Sequence, residues 1–142
     1  MKFSPDGRWL ASTDGAELIN LWDVTSGRII KAFKQSWFRS KLLGGTVGSS
    51  LAFSPDGRFL ATRSSPATLW DLSSGKEVRR FGPDSSRSFS MFLGFTPDGQ
   101  SLVQARADGA IKIWDVPSGN EVRCLADPQR ESYSRAPALA MR

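Results

Sequence analysis

The stretch that decides the fold runs from Phe95 to Leu125 and contains F-T-P-D-G, then A-D-G-A-I-K-I-W-D-V, then P-S-G-N-E-V-R-C-L. The same pattern occurs at Phe3–Phe33, which begins F-S-P-D-G-R-W-L-A-S, and at Phe53–Phe81, which begins F-S-P-D-G-R-F-L-A-T. The W-D pairs of the three copies lie 48 and 44 residues apart, a period typical of repeat architectures. The sequence is therefore organised as three imperfect copies of one unit.

The composition excludes several classes of enzyme. The chain of 142 residues is 39% hydrophobic and 23% charged, as in soluble globular proteins. It has no histidine, which removes the Ser-His-Asp and Cys-His nucleophile pairs and the usual zinc ligand sets. The aspartates and glycines lie singly in turns, without the spacing of an acid/base pair or a phosphate loop. We therefore expect no enzymatic activity, no cofactor and no metal.

The predicted location is the cytoplasm. No apolar run approaches the roughly 18 residues that cross a bilayer, and Met1-Lys2 leads into the first copy without a signal-peptide pattern. Cys124 is the one cysteine, so an intrachain disulfide cannot form and a reducing compartment is favoured. We expect Cys124 to lie half-buried or on an edge strand, and we expect no membrane contact.

Each copy begins with a turn followed by a strand. Proline presets φ, a Ser or Thr hydroxyl caps the backbone and glycine tolerates the exit, which predicts type I turns. These turns are Ser4–Gly7, Ser54–Gly57 and Thr96–Gly99. The strands that follow are predicted at Arg8–Ser12, Arg58–Thr62 and Gln100–Ala105.

Three further elements complete each copy. A second hairpin follows. Its returning strand is predicted at positions such as Leu18–Trp22 and Ala110–Trp114, where alternating residues face opposite sides. A third turn then leads into a more polar strand, which suits the edge of a sheet. A fourth strand precedes the proline turn, at Ser49–Phe53 and Ser90–Phe95. The chain is predicted to be all-β, with three four-stranded antiparallel meanders.

The sequence resembles the WD40 repeats of β-propellers over essentially its whole length. The matching residues are the three proline turns, Asp108 and the pairs Trp22-Asp23, Trp70-Asp71 and Trp114-Asp115. The resemblance is strongest to the WD40 arrays of large bacterial proteins. It implies a partial propeller whose tryptophans pack between blades, and a role in binding other proteins.

The copies depart from the family pattern in their polar residues. The Gly-His pair of WD40 repeats is missing from every copy. In the family this histidine joins a hydrogen-bonded network with the turn aspartate, a strand hydroxyl and the tryptophan. Gln104 lies near the place of the hydroxyl in the third copy. We therefore expect a degraded network and blades held mainly by packing.

The repeats suggest five segments along the chain. Residues 1–33 form a blade that lacks most of its inner strand, residues 49–81 and 82–125 form two further blades, and residues 34–48 connect the first two. Residues 126–142 comprise a loop and a spare inner strand at Ala136–Met141. Because propellers need about four to eight blades, either the chain is a piece of a longer propeller or two chains close a six-bladed ring. Self-association through the open blade edges is thus one expected interaction.

Two regions are candidates for binding a partner. The connection at residues 34–48 carries Trp37 and Phe38 among Lys34, Arg39 and Lys41, which offers aromatic area beside positive charge. The alternative, which we favour, is that the aromatic rings pack under the loop and the cations are solvated. Arg63, Arg106, Arg130 and Tyr133 lie in the loops of one propeller face, where the family usually binds its partners, although each alone also fits a solvated surface role.

The predicted function is a non-catalytic docking scaffold for other proteins, within a larger bacterial protein. The alternative is a nucleic-acid-associated module that binds through the basic segment Arg28–Lys41. No acidic residue lies between Asp23 and Asp56, so this segment carries the whole net charge of +5. Because neighbouring loops do not continue the basic character, an acidic protein surface is the favoured partner and nucleic acid the less favoured one.

Overall fold

A computed structural model describes residues 1–13, 18–34, 51–63, 67–82, 90–106 and 109–125. The predicted sites Trp37, Phe38, Arg39, Lys41, Asp108, Arg130 and Tyr133 lie outside these residues, as does the spare strand at Ala136–Met141.

The described residues form three four-stranded antiparallel sheets, each a meander in sequence order. Blade 1 contains β1 (Lys2–Phe3), β2 (Trp9–Thr13), β3 (Leu18–Asp23) and β4 (Arg28–Lys34). Blade 2 contains β5 (Leu51–Phe53), β6 (Phe59–Thr62), β7 (Ala67–Asp71) and β8 (Lys76–Phe81). Blade 3 contains β9 (Ser90–Phe95), β10 (Ser101–Arg106), β11 (Ile111–Asp115) and β12 (Glu121–Leu125). The all-β prediction with three meanders is confirmed.

The first turn of each blade has the predicted hydrogen bonds. In blade 1 the Gly7 N–H donates to the Ser4 carbonyl at 2.9 Å. The Ser4 hydroxyl donates to the Asp6 carboxylate at 2.6 Å and accepts the Trp9 N–H at 2.9 Å. Gly7 has a φ of +73°, a conformation that glycine adopts without steric cost. Blades 2 and 3 repeat this arrangement at the equivalent residues.

The strands that follow these turns begin one residue later than predicted, at Trp9, Phe59 and Ser101. The reason is the turn aspartate, because the Arg8 N–H donates to the Asp6 carboxylate at 3.0 Å and so belongs to the turn. The third strand of blades 1 and 3 extends one residue beyond its tryptophan. The strand before the proline turn of blade 3, β9, was predicted with its observed bounds, Ser90–Phe95.

The hydrophobic core lies between the blades rather than within one sheet. One cluster joins Ile19, Leu21 and Phe33 of blade 1 to Leu60 and Trp70 of blade 2. A second cluster joins blade 2 to blade 3 through the equivalent positions Ala67, Leu69, Phe81, Leu102 and Trp114. Blade 2 lies between the other two and contributes its strand β7 to both clusters, with Ala67 and Leu69 on one face and Trp70 on the other.

A β-bulge recurs where the outer strand meets the tryptophan. In blade 1, Leu21 lies opposite Lys31 but Trp22 lies opposite Ile29, so Ile30 is the extra residue. Blades 2 and 3 shift register at the same place. Because the extra residue is left out of the pairing, the bulge sets which side of the outer strand each later side chain faces.

Candidate functional site

The meander places two sets of loops at opposite ends of the blades. The proline turns and the W-D turns lie at one end, the turn end. The inner hairpins, together with the connections that leave each outer strand, lie at the other end, the connection end. This division follows from the antiparallel strand order, which is the same in all three sheets.

Three predicted partner-binding residues within the described ranges share the connection end. Lys34 ends β4 and is exposed, Arg63 follows β6, and Arg106 ends β10. Arg63 and Arg106 are half-buried. Burial lowers the pKa of the Arg63 guanidinium from its usual value, although arginine remains charged at physiological pH. The connection end is thus positively charged at the blade termini that the structure describes.

The tryptophan of each W-D pair donates a hydrogen bond within its own blade. The indole N–H of Trp22 donates to the Ser12 hydroxyl at 2.8 Å, and that of Trp70 donates to the Thr62 hydroxyl at 3.0 Å. In blade 3 the Trp114 indole donates to the Gln104 side-chain oxygen at 3.2 Å. The position predicted for Gln104 is confirmed, and Ser12 and Thr62 supply acceptors that were not predicted, so every blade retains the link between strand and tryptophan. A hydroxyl or amide on the second strand supplies the acceptor without histidine.

The aspartates after the tryptophans organise the second loop at the turn end. The Asp71 carboxylate accepts the hydroxyl and the N–H of Ser73, each at 2.9 Å, and these bonds lower the pKa of Asp71. Asp23 and Asp115 cap the equivalent turns by accepting the N–H groups of Thr25 and Ser118. These turns are therefore fixed in shape, and their outer carbonyls are held in defined positions.

A cation on the outer strand of blade 1 and another on that of blade 2 each bind the W-D turn of the following blade. Lys31 Nζ of blade 1 donates to the carbonyl of Leu72 at 2.6 Å and also to the carbonyl of Ser73 in blade 2. Arg79 of blade 2 donates from Nη2 to the Pro117 carbonyl at 2.8 Å and from Nη1 to the Ser118 carbonyl at 2.6 Å. We call this contact the carbonyl clamp.

The glycine of each clamped turn lies directly against the cation. A Cβ added at Gly119 would come within 2.6 Å of Arg79 Cδ, and one added at Gly75 would lie 3.6 Å from Lys31 Cδ. At Gly27 in blade 1, no described atom lies within 4 Å of an added Cβ. The first W-D turn is therefore open on the side where the other two receive a clamp.

The sequence matches the family described as WD domain, G-beta repeat over residues 1–23, 40–71 and 75–115. The chain belongs to this family. Its WD40 repeats form the four-stranded blades described above, a fold typical of protein-interaction scaffolds.

Several curated proteins are similar to this WD40 chain. An uncharacterized WD repeat-containing protein of Deinococcus radiodurans is 32% identical over 117 residues, which cover 74% of this chain and 43% of that protein. The small ribosomal subunit protein RACK1y of Oryza sativa is 32% identical over 118 residues, which cover 78% of this chain and 32% of that protein. The WD40 chain thus spans less than half the length of these relatives.

Solved structures share the arrangement of the blades. The WD40 repeats of RRP9 superpose with a TM-score of 0.72 at 26% identity, over 89% of this chain and 37% of that one. Hydrazine synthase of Kuenenia stuttgartiensis superposes with a TM-score of 0.70 at 18% identity, over 89% and 34% of the two chains. The second likeness concerns the WD40 fold alone.

The described residues contain neither a metal site nor a membrane-spanning helix. No group of three or more His, Cys, Asp or Glu side chains there is placed to hold a metal ion. Nor do these ranges include a helix with the length and hydrophobicity to cross a membrane. Cys124 is exposed on the edge strand β12, as predicted.

The carbonyl clamp is the feature that sequence reasoning missed. Its signal is present in the sequence, since Lys31 and Arg79 each lie nine residues after the tryptophan of their copy. Arg123 lies nine residues after Trp114 in the same way. Without a structure, however, these cations are indistinguishable from the solvated charges of any polar edge strand.

Proposed function

We propose that this WD40 chain is a non-catalytic docking module of a bacterial cytoplasmic protein, and that it binds acidic surfaces of other proteins at its connection end. Any effector activity of that protein resides in other domains. The fold suits binding because the blades form a rigid platform, which loses little conformational entropy when a partner binds.

The observation that carries the proposal is the shared position of Lys34, Arg63 and Arg106. Lys34 and Arg106 end strands of blades 1 and 3, where sheet hydrogen bonds fix the backbone, and Arg63 directly follows a strand of blade 2. Arg63 and Arg106 are also half-buried, which reduces the side-chain entropy lost on binding. Preorganised positive charge of this kind suits carboxylate groups, which guanidinium binds in a bidentate manner.

The relatives support the same class of function. Curated proteins with similar repeats include a WD repeat-containing protein of a bacterium and small ribosomal subunit proteins. The bacterial relative favours a bacterial setting, and the WD40 fold is typical of scaffolds. Nucleic acid, the alternative partner suggested by the basic segment Arg28–Lys41, is the partner class that an experiment has to separate.

The test measures binding of a fluorescent poly-glutamate peptide and of a single-stranded oligonucleotide to the whole chain. We expect the peptide to bind and the double variant Arg63→Glu/Arg106→Glu to lose that binding. The matched control is Arg28→Glu/Lys76→Glu, which removes two exposed cations at the turn end with the same change in net charge.

Two outcomes would contradict the proposal. Equal loss in both double variants would mean that binding follows net charge alone rather than the connection end. Tighter binding of the oligonucleotide, with an affinity that falls steeply as salt rises, would favour the nucleic-acid alternative. Circular dichroism of each variant separates loss of binding from loss of fold.

A further inference from the structure

The three-blade array has an outer face at each end. These two faces carry the same residue positions as the two sides of the interface between neighbouring blades. Blade 1 presents Phe3, Leu10, Trp22 and Val24 on the side that, in blades 2 and 3, packs against the preceding blade. Val24 is 45% exposed and Phe3 is 60% exposed. The equivalent residues of blade 2 lie in the core or pack against it. We call this side of a blade its front face. Among the described residues, no blade covers the front face of blade 1.

Blade 3 presents the opposite half. Its Ile111, Ile113 and Leu125 occupy the positions at which blade 1 has the buried residues Ile19, Leu21 and Phe33. In both internal interfaces an aromatic ring at the Leu125 position packs on the next tryptophan, with centroids 5.4 Å apart for Phe33–Trp70 and 6.1 Å for Phe81–Trp114. Leu125 is 47% exposed. An incoming front face would place its own tryptophan there.

The polar parts of the two faces are also complementary. Arg123 lies opposite Ile113 at the bulge, as Lys31 lies opposite Leu21 and Arg79 lies opposite Leu69. Lys31 and Arg79 are half-buried by their clamps, whereas Arg123 is exposed. The turn that would accept such a cation is Asp23–Gly27, which is the open W-D turn of blade 1. The chain thus carries both a donor and an acceptor for a third carbonyl clamp.

We propose that a second copy of this chain docks head to tail on the outer face of blade 3, with Arg123 clamping the carbonyls of the second copy's turn at Val24 and Thr25. The contact reproduces an interface that the chain already forms twice, with the same apolar positions and a cation at the same place in the outer strand. Since two copies of three blades make six, within the four to eight of closed propellers, the second copy's blade 3 covers the first copy's blade 1. Both outer faces are then buried.

Sedimentation and light scattering of the whole chain over about 1–100 µM test this, a range in which a dimer of micromolar affinity forms. We expect a dimer with no larger species. Arg123→Glu should raise the dissociation constant roughly tenfold or more, since it removes charged hydrogen bonds and opposes the turn carbonyls with negative charge. Arg123→Lys should keep the dimer, because Lys31 shows that lysine forms the clamp. Lys76→Glu, an equal change in charge on another edge strand, should leave it unchanged.

Mixing distinguishes the head-to-tail arrangement from a symmetric contact between two blade 3 faces. Val24→Lys places a cation against the partner's Arg123, so this variant and Arg123→Glu should each dissociate alone. In their mixture one of the two interfaces of the ring joins an unaltered Arg123 to an unaltered Val24, and dimers should recover. A monomeric unaltered chain, a dimer that survives both variants, or variants that do not recover on mixing would each overturn the proposal, provided that circular dichroism shows folded protein.

Discussion

Blades 1 and 2 carry nearly the same residues at the same places, yet among the described residues only blade 2 has a neighbouring blade on both sides. Leu60 is fully buried and Trp70 is 7% exposed, whereas Leu10 and Trp22, at the same positions of blade 1, are half-buried. The hydrogen bonds within the two sheets are equivalent, as are the turns. The difference shows that a blade folds by its own local signals but obtains its apolar core only from adjacent blades.

The largest expected difference between the two blades concerns a leucine on the second strand. Leu60→Ala should lower the free energy of unfolding by about 2–5 kcal/mol, because the cavity forms inside the packed core. Leu10→Ala should cost less than half as much, since that side chain already meets solvent. Urea unfolding followed by circular dichroism measures both. This comparison and the next two need a protein concentration below that at which two copies associate, so that blade 1 is uncovered. Equal losses would mean that blade 1 is covered in solution.

The next comparison concerns the acceptors of the indole hydrogen bonds. Thr62→Val preserves shape but leaves the buried Trp70 N–H without its acceptor, which should cost about 1–3 kcal/mol. Ser12→Ala makes the same change at Trp22, where water can replace the lost acceptor, so its cost should be smaller. Urea unfolding again measures the difference. A larger loss for Ser12→Ala would contradict the ranking of the two sites by burial.

A third pair of variants isolates the carbonyl clamp. Gly27→Ala and Gly119→Ala both place a side chain at a φ near +70°, which costs about 1 kcal/mol or more in each case. Gly119→Ala also displaces Arg79, which lies 2.6 Å from the new Cβ, and should therefore cost more than Gly27→Ala. Thermal unfolding measures both. Equal melting temperatures would show that the clamp adds nothing to the turn.

The smallest effect is expected where the blades do not differ. Hydrogen bonds from the Ser4 and Ser54 hydroxyls lower the pKa of Asp6 and Asp56 from the usual value of 3.8. Because the folded-state pKa is depressed, each carboxylate stabilises the fold above about pH 4 and loses that contribution as the pH falls through the folded-state value. Asp6→Asn and Asp56→Asn should reduce this acid-side loss of melting temperature equally. Unequal changes would show that neighbouring blades influence the first turn.

The sequence predicted interactions between residues that are close in the chain better than interactions between distant ones. Contacts within a few residues or one hairpin set the proline turns, the strands around Leu10, Leu60 and Leu102, and the inward tryptophans. The sequence pattern was therefore enough to predict them. The carbonyl clamp joins residues that lie about 40 positions apart in different sheets, and its cations resemble ordinary surface charges. The acceptors Ser12 and Thr62 were not predicted, because the histidine of the family network is missing and each hydroxyl lies 10 or 8 residues before its tryptophan.

Only part of the predicted binding site lies within the described residues. Lys34, Arg63 and Arg106 fall at strand ends, where the repeat pattern fixes their place. The loops that hold Trp37, Arg39, Arg130 and Tyr133 have no counterpart of equal length among the copies. Their backbone could not be inferred by comparing one copy with another.

The bulge in each outer strand limits how the length of this chain can change. Successive side chains of a strand alternate between faces, so without the bulge Ile30 would lie opposite Leu21 and Lys31 would face away from the turn that it holds. The bulges at Val78 and Val122 place Arg79 opposite Leu69 and Arg123 opposite Ile113 in the same way. Insertions and deletions are therefore expected to accumulate in the connections between blades, while the residue count from each tryptophan to its outer-strand cation stays constant.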